Sequence, residues 1–391
     1  MSEFPVGYYS NGDWSTHCQT IGTDAAFSYC EDAVFWDHLD GEGKLKDRLV
    51  IVGCDPGRKS WNTVMGPLRD PKPRGGLWVH SPGEGNAKAI VLDGYPEDHD
   101  FHPIGMDVFP SLEGDASNLF VINHAGQRTF IEQFSLTPTN PTKAKWIRTL
   151  TSKYFVSPNS LAWTSPTSFY VTNDHLFTRR LPKPFGSVLP AIETWLGLPL
   201  SWISHVTINE NAQFESNVLE HTFAALGIPF SNGVAISPDG KHLAVSASSL
   251  AQVYFYTRDP ESNKLTFTDT VQLPFAPDNL SFDDEGILIV AGHPHLPSLA
   301  AVAANKTAAI GPSWAVSISP RKAGAFSKEY DTRAPVSASA KAPAVPSHEV
   351  ETLFQSNGKF FSTSATGLRD SRTGVLYVSG LYEEGLLVCT P

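Results

Sequence analysis

The sequence predicts an all-β protein, a six-bladed β-propeller, and three observations carry that expectation. Strand-like runs recur along the chain with turn signals between them. Paired runs return roughly every 40–50 residues, in about five or six units, which is the repeat of propeller blades. The 391 residues include 30 Gly and 30 Pro beside 23 Phe, 11 Tyr and 9 Trp, a composition of short strands and sharp turns that excludes a helical bundle.

Taken in order, the strand-like runs are Leu49 to Val52, Leu119 to Asn123, Phe169 to Thr172, His242 to Ser246, Val253 to Tyr256, Ile287 to Ala291 and Val375 to Ser379. Hairpin-type turns stand out at Ser237-Pro238-Asp239-Gly240 and Asp283-Asp284-Glu285-Gly286, where Asp and Gly supply turn chemistry. Between Pro190 and Val206 the apolar residues Trp195, Leu198, Leu200, Trp202 and Ile203 follow a mixed helical period. A short amphipathic helix is expected there, packed on the sheets or capping a site. Residues 321–347 are rich in Ala, Ser, Pro and Lys and poor in large apolar residues. They read as a surface loop inserted before the last blade, because they cannot bury enough apolar area to offset their ordering entropy. Propellers commonly exceed the average domain length as one unit, so residues 1–391 are expected to form a single domain.

Charge and composition exclude several function classes. Lys plus Arg is 29 and Asp plus Glu is 40, for a net charge of −11, and no block of basic residues could track phosphates, so nucleic acid is not an expected partner. No run approaches the ~18–20 apolar residues of a membrane span. The segment from Met1 to Tyr8 shows no basic start followed by an apolar stretch, so no secretory signal is read there, and the expected location is the cytoplasm or, as a processed form, outside the cell. Cys18, Cys30, Cys54 and Cys389 lack a CxxC spacing, which argues against zinc.

Four short polar clusters remain: Glu31-Asp32, Asn159, Asn232-Gly233 and Asp278-Asn279. Each can be read as ordinary strand-edge or turn chemistry. Together they offer the carboxylate and amide oxygens that a hard cation such as calcium takes, six to eight at a time.

The text around these clusters resembles the serum paraoxonase/arylesterase family. Pro158-Asn159-Ser160, Phe169-Tyr170-Val171-Thr172-Asn173-Asp174-His175, Trp195-Leu196-Gly197-Leu198, Phe230-Ser231-Asn232-Gly233, Ile236-Ser237-Pro238-Asp239-Gly240-Lys241, Asp278-Asn279-Leu280-Ser281 and Gly292-His293-Pro294 occur in that family's order. The resemblance implies a six-bladed propeller with calcium in a central tunnel, hydrolysing lactones, aryl esters and some phosphotriesters. It implies Glu31, Asn159, Asn232, Asp278 and Asn279 as ligands of the catalytic calcium. Asp32 matches a ligand of a second, structural calcium, but Ser160 stands where the family has a partner carboxylate, and a hydroxyl is a poor substitute.

The family's proton-transfer histidines are matched only in part. His124 keeps one of them, in Val121-Ile122-Asn123-His124, while the other position is Ile104, in His102-Pro103-Ile104-Gly105. An isoleucine cannot accept a proton, which leaves His102, Asp278 or Glu31 to activate water. His293 matches a tunnel-lining histidine, either a base or an orienting group. Cys18 and Cys389 match the family's terminal disulfide, which closes the propeller by tying its first and last strands and, in the chain-entropy model, stabilises it by constraining the unfolded chain. That pairing conflicts with a reducing cytoplasm. Cys30 and Cys54 have no counterpart and are expected as buried free thiols.

The function expected first is calcium-dependent hydrolysis of lactones or aryl esters on a hydrophobic small molecule. The alternative is a propeller that has lost hydrolysis and catalyses a cyclisation or pericyclic step in secondary metabolism, where orientation and a dry pocket matter more than a base. A non-catalytic binding propeller is the third reading, since fold does not fix function.

Overall fold

The computed structural model describes residues 14–22, 25–64, 66–69, 74–209, 218–306, 309–321 and 347–391. Their architecture is an all-β, propeller-like fold built of runs whose successive strands pair antiparallel. Among the described residues, four sheets have four strands and one has nine.

The first sheet, the nine-stranded one, is two antiparallel runs joined edge to edge. One run comprises Cys30–Leu39, Leu45–Cys54, Gly76–His80 and Ala87–Asp93; the other comprises Pro103–Val108, Ser117–Asn123, Phe130–Leu136 and Lys143–Leu150; the ninth strand, Ser111–Leu112, pairs in parallel with the end of Cys30–Leu39. Their outer strands pair in parallel, Lys143 opposite Val91 and Lys145 opposite Asp93. The next sheets are Pro158–Ser165 to Val218–Ile228, Ser231–Ile236 to Leu265–Gln272, and Ala276–Phe282 to His348–Ser356. In the last, Ser364–Arg369, Leu376–Gly380 and Leu386–Cys389 are completed by Cys18–Ile21 from the other end of the chain.

The first strand of each run adjoins the first strand of the next. Cys30–Leu39 lies against Pro103–Val108, then follow Pro158–Ser165, Ser231–Ile236, Ala276–Phe282 and Ser364–Arg369, which returns to Cys30–Leu39. Apolar residues on facing sheets fill the wedges between them. One such cluster joins Phe120, Ile122 and Ile131 to Leu161, Phe169, Val171 and Val206. Each fully buried side chain of this size contributes about 1.5–3 kcal/mol before entropy is charged.

The strand-like runs named from sequence all fall in strands, with Ile287 one residue outside Leu288–His293 and Val375 one residue outside Leu376–Gly380. The two turns close as expected, Gly240 N donating to Ser237 O and Gly286 N to Asp283 O. The helix is displaced, however. It runs Phe185–Leu196 and ends at Gly197, whose φ of 58° is the left-handed stop of a helix; Ser201–Ile208, read as part of the helical stretch, is a strand. Trp202 and Ile203 are apolar because that strand is covered on both faces, which a mixed period cannot distinguish from a buried helix.

The cysteines bring one agreement and one correction. Cys18 and Cys389 face each other across paired strands, Cα atoms 4.0 Å apart, and are disulfide-bonded. Cys30 and Cys54 are not free thiols: they too are opposite in register, Cα atoms 3.8 Å apart, and form a second disulfide. Nothing in their sequence spacing signals this, because the pairing depends on the strand register. The inserted loop of residues 321–347 falls almost wholly outside the described residues.

Candidate active site

The polar clusters are not turns but, as the other reading had it, lie at strand edges, within the first few residues of their strands. They sit in the first strands of the runs, each where the pairing with the second strand skips. The register breaks between Cys30 and Asp32, Pro103 and Met106, Pro158 and Leu161, Ser231 and Val234, Pro277 and Leu280, and Ser364 and Gly367. The skipped residues are Glu31, Ile104-Gly105, Asn159-Ser160, Asn232-Gly233, Asp278-Asn279 and Ala365-Thr366. A β-bulge of this kind re-aims a side chain out of the pleat, and here it aims one or two per run toward the common centre. Gly233 serves this crowding rather than a hairpin: a Cβ there would stand 2.6 Å from Asn279 Cα and 2.8 Å from Asp278 O.

The five residues matched to calcium ligands are brought together and buried. Asn232 Nδ2 donates to Asp278 Oδ1 at 2.6 Å, Asn279 Nδ2 to Glu31 Oε1 at 3.0 Å, and Asn159 Nδ2 to Asp174 Oδ2 at 3.2 Å. Each amide nitrogen is thus held by a neighbouring carboxylate. The atoms left over are all oxygens: Glu31 Oε2, Asn159 Oδ1, Asn232 Oδ1 and Asn279 Oδ1 are buried with no hydrogen-bond partner. A buried polar atom without a partner costs about 1–3 kcal/mol, so four in one centre call for an ion or donor. Two carboxylates and three amides form a hard oxygen set that suits calcium. Among the described residues no three or more His, Cys, Asp or Glu side chains are grouped as a metal site.

The electrostatics agree. Burial, followed by the nearby Asp32 and Asp278 charges, pushes the Glu31 carboxyl well above the usual range, with Arg58 pulling the other way. A cation among these oxygens would reverse that penalty.

Asp32 behaves differently. Its Oδ1 accepts from Ala33 N and Thr366 Oγ1, each at 2.8 Å, and its Oδ2 from Met106 N at 2.8 Å. Burial raises its carboxyl to about 7. Protein donors occupy the oxygens that the resemblance gave to a structural calcium, and Ser160 Oγ, at the missing carboxylate's position, accepts from Val234 N at 3.3 Å.

Above the oxygen set opens a pocket of about 770 Å³, mouth included. Its walls include Trp61, Ile104, Phe230, Leu296, Leu299 and Leu381, and the three histidines singled out from sequence. His124 has both ring nitrogens engaged, Nδ1 with Thr63 Oγ1 at 2.8 Å and Nε2 with the Pro158 carbonyl at 2.7 Å. Burial and the Arg180 charge lower its pKa to about 4. It is a neutral ring that fixes the backbone just before Asn159. His293 donates from Nε2 to Asp278 Oδ2 at 2.8 Å, while its Nδ1 is buried and unpartnered. His102 pairs through Nδ1 with Asp55 Oδ2 at 2.8 Å, and its Nε2 is likewise buried and unpartnered.

Asp55 and Arg58 were not singled out from sequence. Cys54-Asp55-Pro56-Gly57 has the composition of a plain turn, and only the tertiary structure puts its aspartate under His102. The helix Phe185–Leu196 reaches the site indirectly. Thr194 Oγ1 meets His175 Nε2 at 2.7 Å, His175 Nδ1 meets Asp174 Oδ1 at 3.1 Å, and Asp174 holds Asn159.

Comparison with known proteins matches residues 64–313, more than half of the chain, to the Arylesterase family. The chain belongs to that family. Among curated relatives of this arylesterase-family chain, serum paraoxonase/arylesterase 2 of Gallus gallus is 29% identical over 196 residues and that of Bos taurus 30% over 196. Serum paraoxonase/arylesterase 1 of Homo sapiens is 29% identical over 198 residues. Each match spans 50% of this chain and 50% of the relative, so the chain matches about half the length of these relatives. Among solved structures, a luciferin-regenerating enzyme aligns with a TM-score of 0.49 at 13% identity, covering 96% of this chain and 95% of its own. A gluconolactonase of Xanthomonas campestris aligns with a TM-score of 0.44 at 11% identity, covering 98% and 97%. No helix among the described residues is long and apolar enough to cross a membrane.

Proposed function

We propose that this chain is a calcium-dependent hydrolase of lactones or aryl esters, folded as a single six-bladed propeller domain with the cation in its central tunnel. The observation that carries the reading is the set of four buried, unpartnered oxygens on Glu31, Asn159, Asn232 and Asn279 beneath a pocket lined with histidines. The repeated bulge in every innermost strand supports the six-blade count, each run then being one blade.

Glu31, Asn159, Asn232, Asp278 and Asn279 would hold the cation. A calcium bound there supplies positive charge that polarises an ester carbonyl and stabilises the negative charge developing on its oxygen. The protein's own groups do the rest. His293 orients Asp278, His124 anchors the strand carrying Asn159, and the apolar wall of Trp61, Ile104, Leu296 and Leu299 selects a hydrophobic small molecule and limits water. Asp32 is a structural residue, tying the first run to the last through Thr366.

The apolar Ile104 beside the oxygen set also favours the second reading, a cyclisation or pericyclic reaction in a dry pocket. One experiment separates the two. Purified protein is assayed on γ- and δ-lactones and phenyl acetate, with chelator and after calcium is restored, and its calcium content is measured by elemental analysis. Hydrolysis that chelator abolishes and calcium restores supports the first reading. Bound calcium with no turnover of any panel member overturns hydrolysis, and absence of calcium uptake overturns the metal assignment.

A further inference from the structure

We propose that His102 and Asp55 form a histidine–aspartate dyad that activates the hydrolytic water, in place of a histidine at Ile104. The inference rests on the hydrolase reading above. It begins with Asp55, which is 1% exposed and has each carboxylate oxygen assigned to a different donor. Oδ1 accepts from Gly57 N at 2.9 Å and Oδ2 pairs with His102 Nδ1 at 2.8 Å. The turn Asp55-Pro56-Gly57 therefore fixes the carboxylate before it meets the ring.

The ring is fixed as firmly. His102 is 1% exposed; its backbone N–H donates to Asn123 Oδ1 at 2.9 Å and its carbonyl accepts from His124 N at 3.0 Å. The Trp61 ring lies 6.0 Å from it, centroid to centroid. With Nδ1–H donated to a carboxylate, the neutral ring must carry its lone pair on Nε2. That nitrogen is buried, has no partner, and belongs to a residue lining the pocket above the oxygen set. Among the three pocket histidines, His124 has no free nitrogen and His293 is bonded directly to Asp278. His102 alone combines a free nitrogen with a carboxylate outside the oxygen set.

The chemistry closes without any further reactant. His102 Nε2 takes a proton from water as the water oxygen bonds to the ester carbonyl carbon. Asp55 stabilises the resulting imidazolium by holding Nδ1–H. When the carbon–oxygen bond of the ring or aryl ester breaks, Nε2 returns the proton to the leaving oxygen, giving a hydroxy acid or an acid and a phenol. His102 is then the catalytic base, and Asp55 a positioning residue. The other charged or titratable groups facing the pocket are Glu31, Arg58, Asp174, Asp278, His124 and His293.

Asp55→Asn gives the sharpest test, because the turn dictates how the amide sits. Gly57 N–H requires an oxygen, so the amide nitrogen must face His102 Nδ1. The ring is then forced to accept at Nδ1 and to carry its hydrogen on Nε2, the wrong tautomer for a base. Three measurements follow for wild type, Asp55→Asn and His102→Gln: kcat on the best lactone at saturating calcium, kcat/KM against pH, and calcium binding by titration calorimetry. The tautomer of His102 is read by nitrogen-15 NMR in wild type and Asp55→Asn.

Both variants should bind calcium as wild type does and lose about 10²–10⁴-fold in kcat. The acidic limb of the pH profile should vanish in His102→Gln, and NMR should show Nδ1–H in wild type and Nε2–H in Asp55→Asn. If wild type hydrolyses lactones and both variants match it within a few-fold, the dyad is wrong while the hydrolase reading stands. If wild type binds calcium but hydrolyses nothing, the hydrolase reading falls and takes the base assignment with it.

Discussion

Replacing Glu31 with glutamine should move the stability of this protein in opposite directions with and without calcium. Glu31 is the buried carboxyl whose Oε1 accepts from Asn279 and whose Oε2 has no partner. Glutamine keeps an oxygen for Asn279 and puts an N–H₂ in place of the unpartnered Oε2, in the pocket that Asn159 and Asn232 also line. Metal-free Glu31→Gln thus sheds a buried charge beside Asp32 and Asp278 and gains donors where none existed, a relief of about 2 kcal/mol. Wild type at calcium of 1,000 times Kd should gain about 4.1 kcal/mol by linkage. At about 2.1 cal/mol/K per residue near 60 °C, the 391 residues give an unfolding entropy of about 0.8 kcal/mol/K. The calcium shift in Tm is then about 5 °C for wild type and under about 1 °C for Glu31→Gln, while the metal-free variant melts about 2 °C above metal-free wild type. The sign follows from the raised carboxyl: stability present below the unfolded range is lost as pH rises through the folded value. The advantage of Glu31→Gln should therefore fade toward pH 4 and grow toward pH 8. Calorimetry with chelator and with calcium reads both numbers. A variant that melts below wild type without metal and keeps the full calcium shift would refute the reasoning.

Three further outcomes are expected. Cys30→Ser with Cys54→Ser should lower unfolding free energy in denaturant by about 3.5 kcal/mol, the chain-entropy value for a separation of 24 residues, and should weaken calcium binding because the bond directly precedes Glu31 and Asp55. Asp107, which accepts from Val108 N and Trp163 N at 2.9 Å each, is raised by burial to about 7. Its contribution is present below about pH 4 and lost as pH rises through 7, so Asp107→Asn should flatten the fall in urea stability between pH 5 and 8 by on the order of 2 kcal/mol. Ile104→Ala should leave lactone turnover within a few-fold of wild type, while Ile104→His should preserve or raise it by placing a second ring beside the oxygen set; a loss above about 100-fold for Ile104→Ala would show that the isoleucine itself positions the substrate.

The sequence made the strands and the candidate ligand residues legible for different reasons. Runs such as Phe169 to Thr172 and His242 to Ser246 are apolar on both faces and bounded by turn residues, so their state is written locally. Glu31, Asn159, Asn232, Asp278 and Asn279 were legible only as an ordered series resembling a family, because taken singly Asn-Gly and Asp-Asn look like turns. Their real setting, a bulge at the same place in successive innermost strands, depends on register, which a chain with degenerate repeats does not display. The Cys30–Cys54 bond and the pairing of His102 with Asp55 were hidden for the same reason. Each joins residues separated by a whole hairpin or more, and no periodicity relates them. The helix was misplaced because Trp202 and Ile203, on a doubly covered strand, extend the apolar pattern of the true helix past its glycine stop.

The contacts of Thr366 make the centre of the molecule a gauge of its closure. The single hydrogen of this hydroxyl is shared between Asp32 Oδ1 at 2.8 Å and the Glu31 carbonyl at 3.0 Å, and its oxygen accepts from Asn279 Nδ2 at 3.0 Å. It stands in the sheet that the two ends of the chain complete together, where Cys18 is bonded to Cys389. Occupancy of the centre and the joining of the ends meet in one sheet, and by thermodynamic reciprocity whatever factor one imposes on the other is returned in equal measure. A reductant that opens Cys18–Cys389 would weaken whatever the oxygens hold, and a tightly held cation would make that bond correspondingly harder to reduce.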